Sequence, residues 1–473
     1  ATTEIYTLSV VGQRQMCIRD SYRTNKFEFL VFYGRRRIGK TALLTHFLKG
    51  KPHIYFLADK RGSKANLDRF LELASKVFRD YKPVINNFVD AFKYIRTKTH
   101  GKRFVVCIDE FSYLVEKDPD IPSEFQRVVD EVLKRSKIML ILCGSSISMM
   151  EKGVLSYRSP LYGRRTGQWK VMPFKLKAFA KCLRKLDIEN LIKVYSVFGD
   201  VPAYFLRYDQ NKSFAENIKG NILTKGSFLY DEGEFLLRQE LKEPETYFSI
   251  LHAMTLTAGL SKLASLANIP AKDTSKYLRK LESIDLVERI HPVIAKRKTR
   301  KTLYFIKDSF LNFWFRFVYP NKSELEEGRV NGVFMYIKND LEKEIHKGFE
   351  RFCTRLLKEG LLLKSFHFTK IGKQWGRIKG KPKKINTYEI DILAVDEVNK
   401  KVLACECKWK DGVNAEEVCN DLLKKIGYVE WHKDRRKEFF AVFAKSFRKK
   451  IDVFDGKKVF CFDLEDLKHC LGK

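Results

Sequence analysis

From Phe27 onward, short apolar runs alternate with stretches of helical spacing. "FEFLVFY" is apolar at almost every position, as a strand buried on both faces must be. "ALLTHFLKG", residues 42–50, follows with helical spacing and a closing glycine. "RFVVCIDEF", residues 103–111, and "KIMLILCGSS", residues 137–146, repeat the apolar run. Strands separated by helices predict an α/β domain with a parallel sheet.

The pattern then changes. "YFSILHAMT", "LSKLASLANI" and "KDTSKYLRKLESIDL" read as three short helices, the third with Tyr277, Leu278, Leu281 and Leu286 on its inner face. "VERIHPVIAKRKTRKTLYFI" reads as two strands around a basic loop. Together these predict a winged helix-turn-helix. The aromatic run Phe310 to Pro320 is expected to be core between domains. A helix over 341–360, a strand–turn–strand over 388–410 and a helix over 416–431 predict a second α/β domain.

At 473 residues the chain exceeds one ordinary core. The expected division is an α/β core over 23–180, a helical lid over 181–245, the winged helix over 246–320, a linker over 321–340 and a second α/β domain over 341–473. "SVVGQRQMCIRDSY" fits none of these patterns, and residues 1–22 are expected to be a non-native leader.

Charge sharpens the picture. Against 58 acidic residues stand 91 basic ones, a net charge of +33. Such an excess points to a polyanion, and DNA is the expected partner. Ten cysteines form no CxxC pair, and none sits with histidine at zinc spacing. Cys107, Cys143 and Cys405 fall inside predicted strands, as buried thiols in a reducing cytoplasm. No apolar run approaches a bilayer span, so no membrane partner is expected.

The first candidate site follows "FEFLVFY" directly: Gly34, Arg35, Arg36, Arg37, Ile38, Gly39, Lys40 and Thr41, with Ala42 next. Strand, glycine-flanked loop and helix are the setting in which main-chain N–H groups cradle phosphates. Gly39 leaves room for backbone to approach oxygen. Lys40 reaches the β- and γ-phosphates of ATP, and Thr41 offers its hydroxyl to Mg²⁺. Asp109, ending the next buried strand, is the second Mg²⁺ group, and Glu110 is placed to polarise the attacking water. Two readings stand for Ser145 and Ser146: sensing the γ-phosphate, or capping the next helix. Arg164, with Arg165 beside it, is the candidate arginine contact to the γ-phosphate, within the chain or from a neighbour in a homo-oligomer.

The order GxxxxGKT, IDEF, CGSS, SPLYGRR, FGDVPAYF resembles the archaeal ATPase family, in the STAND branch near the AAA+ proteins, over residues 27 to 210. That resemblance implies an ATP-hydrolysing P-loop domain. Members carry Gly-Gly-hydrophobic-Pro after the core, whereas this chain has Gly199-Asp200-Val201-Pro202, with Asp200 departing.

The second candidate site lies in the last domain. Asp391 precedes Glu406-x-Lys408 across a turn at Asn399. Strand alternation puts Glu406 and Lys408 on one face, and Asp391 on the paired strand joins them. Two carboxylates for Mg²⁺ beside a lysine make the PD-(D/E)xK arrangement, with Asp391 and Glu406 as metal ligands and Lys408 against developing charge. Glu350, on the preceding helix, is an outer member. Lys370, Lys373, Arg377, Lys379, Lys381, Lys383 and Lys384 precede the strand. The block also resembles the domain that follows archaeal ATPase domains, held to be restriction-endonuclease-like. Lys276, Arg279 and Lys280, with Lys296, Arg297, Lys298, Arg300 and Lys301, are the expected DNA-facing residues of the winged helix. The expected activity is ATP hydrolysis acting on DNA through these two modules. The alternative is a nucleotide-gated DNA-binding or signalling protein without nuclease activity.

Overall fold

A computed structural model describes residues 18–241, 243–295, 301–364, 366–378, 380–382 and 386–473. Residues 1–17 of the expected leader, five residues of the expected basic wing (296–300), and Lys379, Lys383 and Lys384 lie outside them. The chain divides into two compact units, 1–173 with 283–285, and 174–282 with 286–473. The segments expected as lid, winged helix and nuclease-like domain thus fall in one unit, apart from residues 283–285.

The first unit holds a parallel sheet of order β2-β3-β4-β1-β5: β1 (Glu28–Tyr33), β2 (His53–Leu57), β3 (Phe104–Asp109), β4 (Ile138–Gly144) and β5 (Gly167–Lys170). Both faces are covered. In β1, Phe29 and Val31 join one buried cluster while Leu30 and Phe32 join the other. In β4, Leu140 and Leu142 face one way, Met139 and Ile141 the other. Burial on both faces explains why these strands lack alternation. Helix α1 (Lys40–Leu48) follows β1, and α2 (Phe111–Lys117) follows β3. Ile18 is buried in the cluster under α1, and the Arg103 guanidinium donates to the Ser21 carbonyl at 2.8 Å. Ile18, Ser21 and Tyr22, expected in the leader, therefore contact this unit.

In the second unit, α3 (Ile188–Phe198) precedes a helical group: α4 (Pro244–Leu256), α5 (Leu260–Leu266) and α6 (Ala271–Ser283). The antiparallel pair β6 (Val287–Ile290) and β7 (Leu303–Ile306) follows, and Gly259 bridges to Leu303. Phe310, Phe313, Trp314, Phe315 and Phe317 are buried, and the Trp314 indole donates to the Tyr230 carbonyl at 2.7 Å. The aromatic run is core, as its density suggests.

The expected linker 321–340 is largely helical. Helix α7 (Val330–Lys358) starts inside it, since Val333, Phe334, Ile337 and Leu341 continue the buried stripe. Then come β8 (Lys370–Arg377), β9 (Thr387–Asp396), β10 (Lys401–Lys408), β11 (Val413–Asn414), α8 (Ala415–Ile426), β12 (Lys437–Ala444), β13 (Phe447–Lys449), β14 (Val453–Phe454), β15 (Lys457–Phe462) and α9 (Leu464–Leu471). The main sheet has the order β14-β15-β12-β10-β9-β8. β9 and β10 are antiparallel, while β10 and β12 are parallel across α8. Among the described residues no helix is long and apolar enough to cross a membrane.

Candidate functional site

In the first unit, the strand order puts β4 between β1 and β3. The loop after β1, the acidic end of β3 and the start of the segment after β4 therefore meet at one sheet edge, the carboxyl edge where open α/β sheets bind ligands. Two glycines permit the loop. A Cβ on Gly34 would lie 2.6 Å from the Val171 carbonyl oxygen, and φ there is 152°. Gly39 caps α1 at φ 90°, a left-handed conformation that favours glycine.

Lys40 is buried. Its Nζ donates to the carbonyls of Gly34 at 2.8 Å and Arg35 at 3.0 Å. Burial lowers its pKa, opposed by the nearby Glu110 and Asp109 charges. The Thr41 hydroxyl donates to Asp109 Oδ2 at 2.7 Å, and so does the Tyr55 phenol. Burial and Asp109 push the Tyr55 pKa up. The two residues expected to hold Mg²⁺ are thus in direct contact. Hard oxygen donors of this kind suit Mg²⁺.

Glu110 stands in the left-handed region at φ 56°. Ser145 Oγ donates to its Oε1 at 2.5 Å, and the Ser145 backbone N–H donates to Oε2 at 3.2 Å. Arg36 Nη1 lies 4.0 Å from Oε1, and Arg36 Nη2 donates to the Tyr113 hydroxyl at 2.9 Å. Of the two serines, Ser145 meets Glu110; Ser146 precedes a short helix without a side-chain cap bond. Arg164 pairs with Asp130 at 2.7 Å and donates to the Pro160 carbonyl at 2.7 Å. Arg165 instead donates to the Val154 carbonyl at 3.5 Å and lies over the Tyr162 ring, and its charge opposes the burial that raises the pKa of Tyr33, the residue before the loop.

In the second unit, the β9–β10 register sets Ile392 opposite Cys405, so Asp391 falls beside Glu406. Asp391 Oδ2 accepts the Cys407 backbone N–H at 2.9 Å. Glu406 is 2% exposed. Its Oε2 pairs with Lys408 at 2.8 Å and its Oε1 with Lys425 of α8 at 2.6 Å. Burial, then the neighbouring Glu406 and Glu350 carboxylates, raise the Asp391 pKa from 3.8 to about 7. Burial works against charge on Lys408, but the charge and hydrogen bond of Glu406, together with the charge of Asp391, leave the ammonium pKa raised. Glu350 of α7 pairs with Lys373 at 3.4 Å, and Lys373 reaches Glu389 at 2.6 Å. His346 Nε2 lies 2.8 Å from the Cys407 carbonyl and 3.9 Å from Glu350.

The structure therefore gathers Glu350, Asp391, Glu406 and Lys408, the expected set. It draws in Lys373 from the basic stretch and adds His346 and Lys425. His346 carries a faint sequence signal, four residues before Glu350 on one helix face. Lys425 carries none, being one of two adjacent lysines on an amphipathic helix. Among the described residues, no group of three or more His, Cys, Asp or Glu side chains could hold a metal ion. A metal here would share its shell with phosphate oxygens and water, as Mg²⁺ does.

A family model described as an ATPase domain predominantly from Archaea matches residues 17–207. A second, described as "Archaea bacterial proteins of unknown function", matches residues 314–422. An uncharacterized protein of Methanocaldococcus jannaschii is 34% identical over 454 residues, covering 95% of this chain and 97% of its own length. Another from that organism is 35% identical over 77 residues, 16% of this chain and 73% of its own length. Among solved structures, a Walker-type ATPase of Pyrococcus abyssi covers 64% of this chain and 95% of its own, with 18% identity and a TM-score of 0.49. The ORC2 protein of Aeropyrum pernix covers 71% and 94%, with 14% identity and a TM-score of 0.41.

Proposed function

Because this chain belongs to the family of the full-length Methanocaldococcus jannaschii relative and carries the ATPase domain found predominantly in Archaea, we propose that its first unit hydrolyses ATP and its second acts on DNA. The observation that carries the ATPase reading is the Thr41–Asp109 hydrogen bond, which joins the phosphate loop to the acidic strand end. The loop N–H groups of residues 35–41 and Lys40 bind the phosphates. Thr41 and Asp109 would hold Mg²⁺, which would supply charge neutralisation when bound. Glu110 orients and polarises the attacking water, and Ser145 controls where that carboxylate points. Lys40→Ala is expected to abolish ATP binding, while Glu110→Gln keeps binding and loses turnover. Unchanged hydrolysis in both variants overturns the assignment.

The second unit is read as a winged helix followed by a PD-(D/E)xK nuclease-like domain. Three helices and an antiparallel pair support the first. Lys276 and Arg279 are exposed on α6 and Lys280 partly so, where phosphate contacts would position DNA without reading sequence. A helix, three antiparallel strands, a crossing helix and a parallel strand support the second, with the acid–lysine cluster on the β9–β10 pair. Asp391 and Glu406 would hold Mg²⁺ against a phosphodiester, where it supplies Lewis-acid stabilisation. One observation favours the alternative, a nucleotide-gated DNA-binding protein without cleavage: both Glu406 oxygens already carry an ammonium partner. Plasmid nicking in Mg²⁺ by wild type, Asp391→Ala and Lys408→Ala separates the two. Cleavage lost in both variants supports the nuclease; equal nicking in all three removes it.

A further inference from the structure

Glu406 is nearly sealed from solvent, yet it carries two ammonium partners from different elements. Lys408 comes from the same strand two residues on, and Lys425 comes from the last turn of α8. A buried carboxylate needs a cation to stay charged. Before a metal arrives, if Lys408 alone met that need, turning it to substrate would strand the charge of Glu406. The two duties conflict, and a second lysine removes the conflict.

We propose that Lys425 is a positioning residue of the nuclease-like site: it holds Oε1 of Glu406 so that Lys408 can leave Oε2 and face a phosphodiester. This rests on the nuclease reading above. Hydrolysis adds a water oxygen to phosphorus and releases one bridging oxygen as an alcohol, which takes the water's proton. Negative charge builds on the phosphoryl oxygens meanwhile, and Lys408 is the cation placed to meet it. Lys373 is not a substitute for Lys425, since Glu350 and Glu389 hold it. Nor can Lys408 take both roles, since its Nζ lies on Oε2 while Oε1 faces α8.

The test compares wild type, Lys425→Met, Lys425→Arg and Lys408→Met by plasmid nicking in Mg²⁺. A thermal-shift titration with Mn²⁺ in the absence of DNA runs beside it. Lys425→Met is expected to lower kcat about a hundredfold with KM nearly unchanged, and Lys425→Arg to recover most of it. Its Mn²⁺ midpoint is expected to hold or fall, because one competing cation has gone. Wild-type nicking in Lys425→Met overturns the proposal. So does joint loss of nicking, Mn²⁺ response and melting temperature without rescue by arginine, which marks a plain packing role. A wild type that fails to nick in Mg²⁺ overturns the nuclease reading itself, and this proposal with it.

Discussion

Asp200 and Arg355 form an ion pair across 155 residues of sequence. Arg355 lies on α7, and its guanidinium also donates to the Phe174 carbonyl and to Glu359 at 2.7 Å. Glu359 in turn accepts the Leu176 N–H at 2.9 Å. Burial raises the Asp200 pKa, and Arg355 opposes that rise. The one residue that breaks the Gly-Gly-hydrophobic-Pro pattern is thus tied to the helix that bears Glu350.

Removing one partner should leave the other charge poorly compensated. With each side chain about a fifth exposed, Asp200→Ala is expected to cost about 2–3 kcal/mol, somewhat under the figure for fully buried pairs. Denaturant unfolding of the second unit's transition measures it. A double variant, Asp200→Ala with Arg355→Met, should cost less than the sum; additive losses show that the pair is not coupled.

The two adjacent arginines should differ in effect. Arg164 is committed to Asp130, so Arg164→Ala is expected to cost at most about 1 kcal/mol of stability, with ATP turnover little changed. Arg165, whose charge reaches Tyr33 before the loop, is expected to lower turnover when replaced by alanine. Steady-state hydrolysis rates of both variants decide between them, and the opposite ranking restores Arg164 as the γ-phosphate contact.

Asp391 should make the second unit sensitive to pH. Its folded pKa is raised from 3.8 to about 7 by burial and by Glu406 and Glu350. Between those values the unfolded chain has ionised while the folded chain holds the proton. The stabilisation is therefore complete below about pH 4 and is lost as pH rises towards 7, of order 2–4 kcal/mol. Melting temperatures in chelator should fall over that window for wild type and stay flatter for Asp391→Asn. Identical slopes would show that the carboxyl group titrates normally.

Gly348 lets two helices touch. A Cβ there would lie 1.9 Å from Ser196 Oγ on α3. Gly348→Ala is expected to cost about 1–3 kcal/mol and to shift Glu350 and His346, which flank it on α7. Combining it with Ser196→Gly should recover part of the loss. A Gly348→Ala protein with unchanged melting temperature would show that the helices separate without strain.

Much of this was legible beforehand because it is local. The phosphate loop needs contiguous residues between a strand and a helix, and its partner acids end a strand that is apolar throughout. Asp391, Glu406 and Lys408 lie within one strand pair, where a period of two fixes the face. The aromatic run declared itself core by density alone. Helix α7 begins inside the expected linker over 321–340, where Asn331, Lys338 and Asn339 dilute in sequence a stripe that packing reveals. Arg164 and Arg165 look equivalent in sequence, and only the position of Asp130 separates them.

The amino-acid order by itself settled the strand–loop–helix at Gly34–Thr41, the buried parallel strands and the acid–lysine hairpin, because neighbouring residues and backbone periodicity specify each of them. Tertiary structure alone decided that Ser145 meets Glu110, that Lys425 shares Glu406, and that Asp200 finds Arg355. Those contacts join residues distant in sequence. They exist because strand order and helix packing close long stretches of chain, and no short-range pattern encodes where such closures bring side chains together.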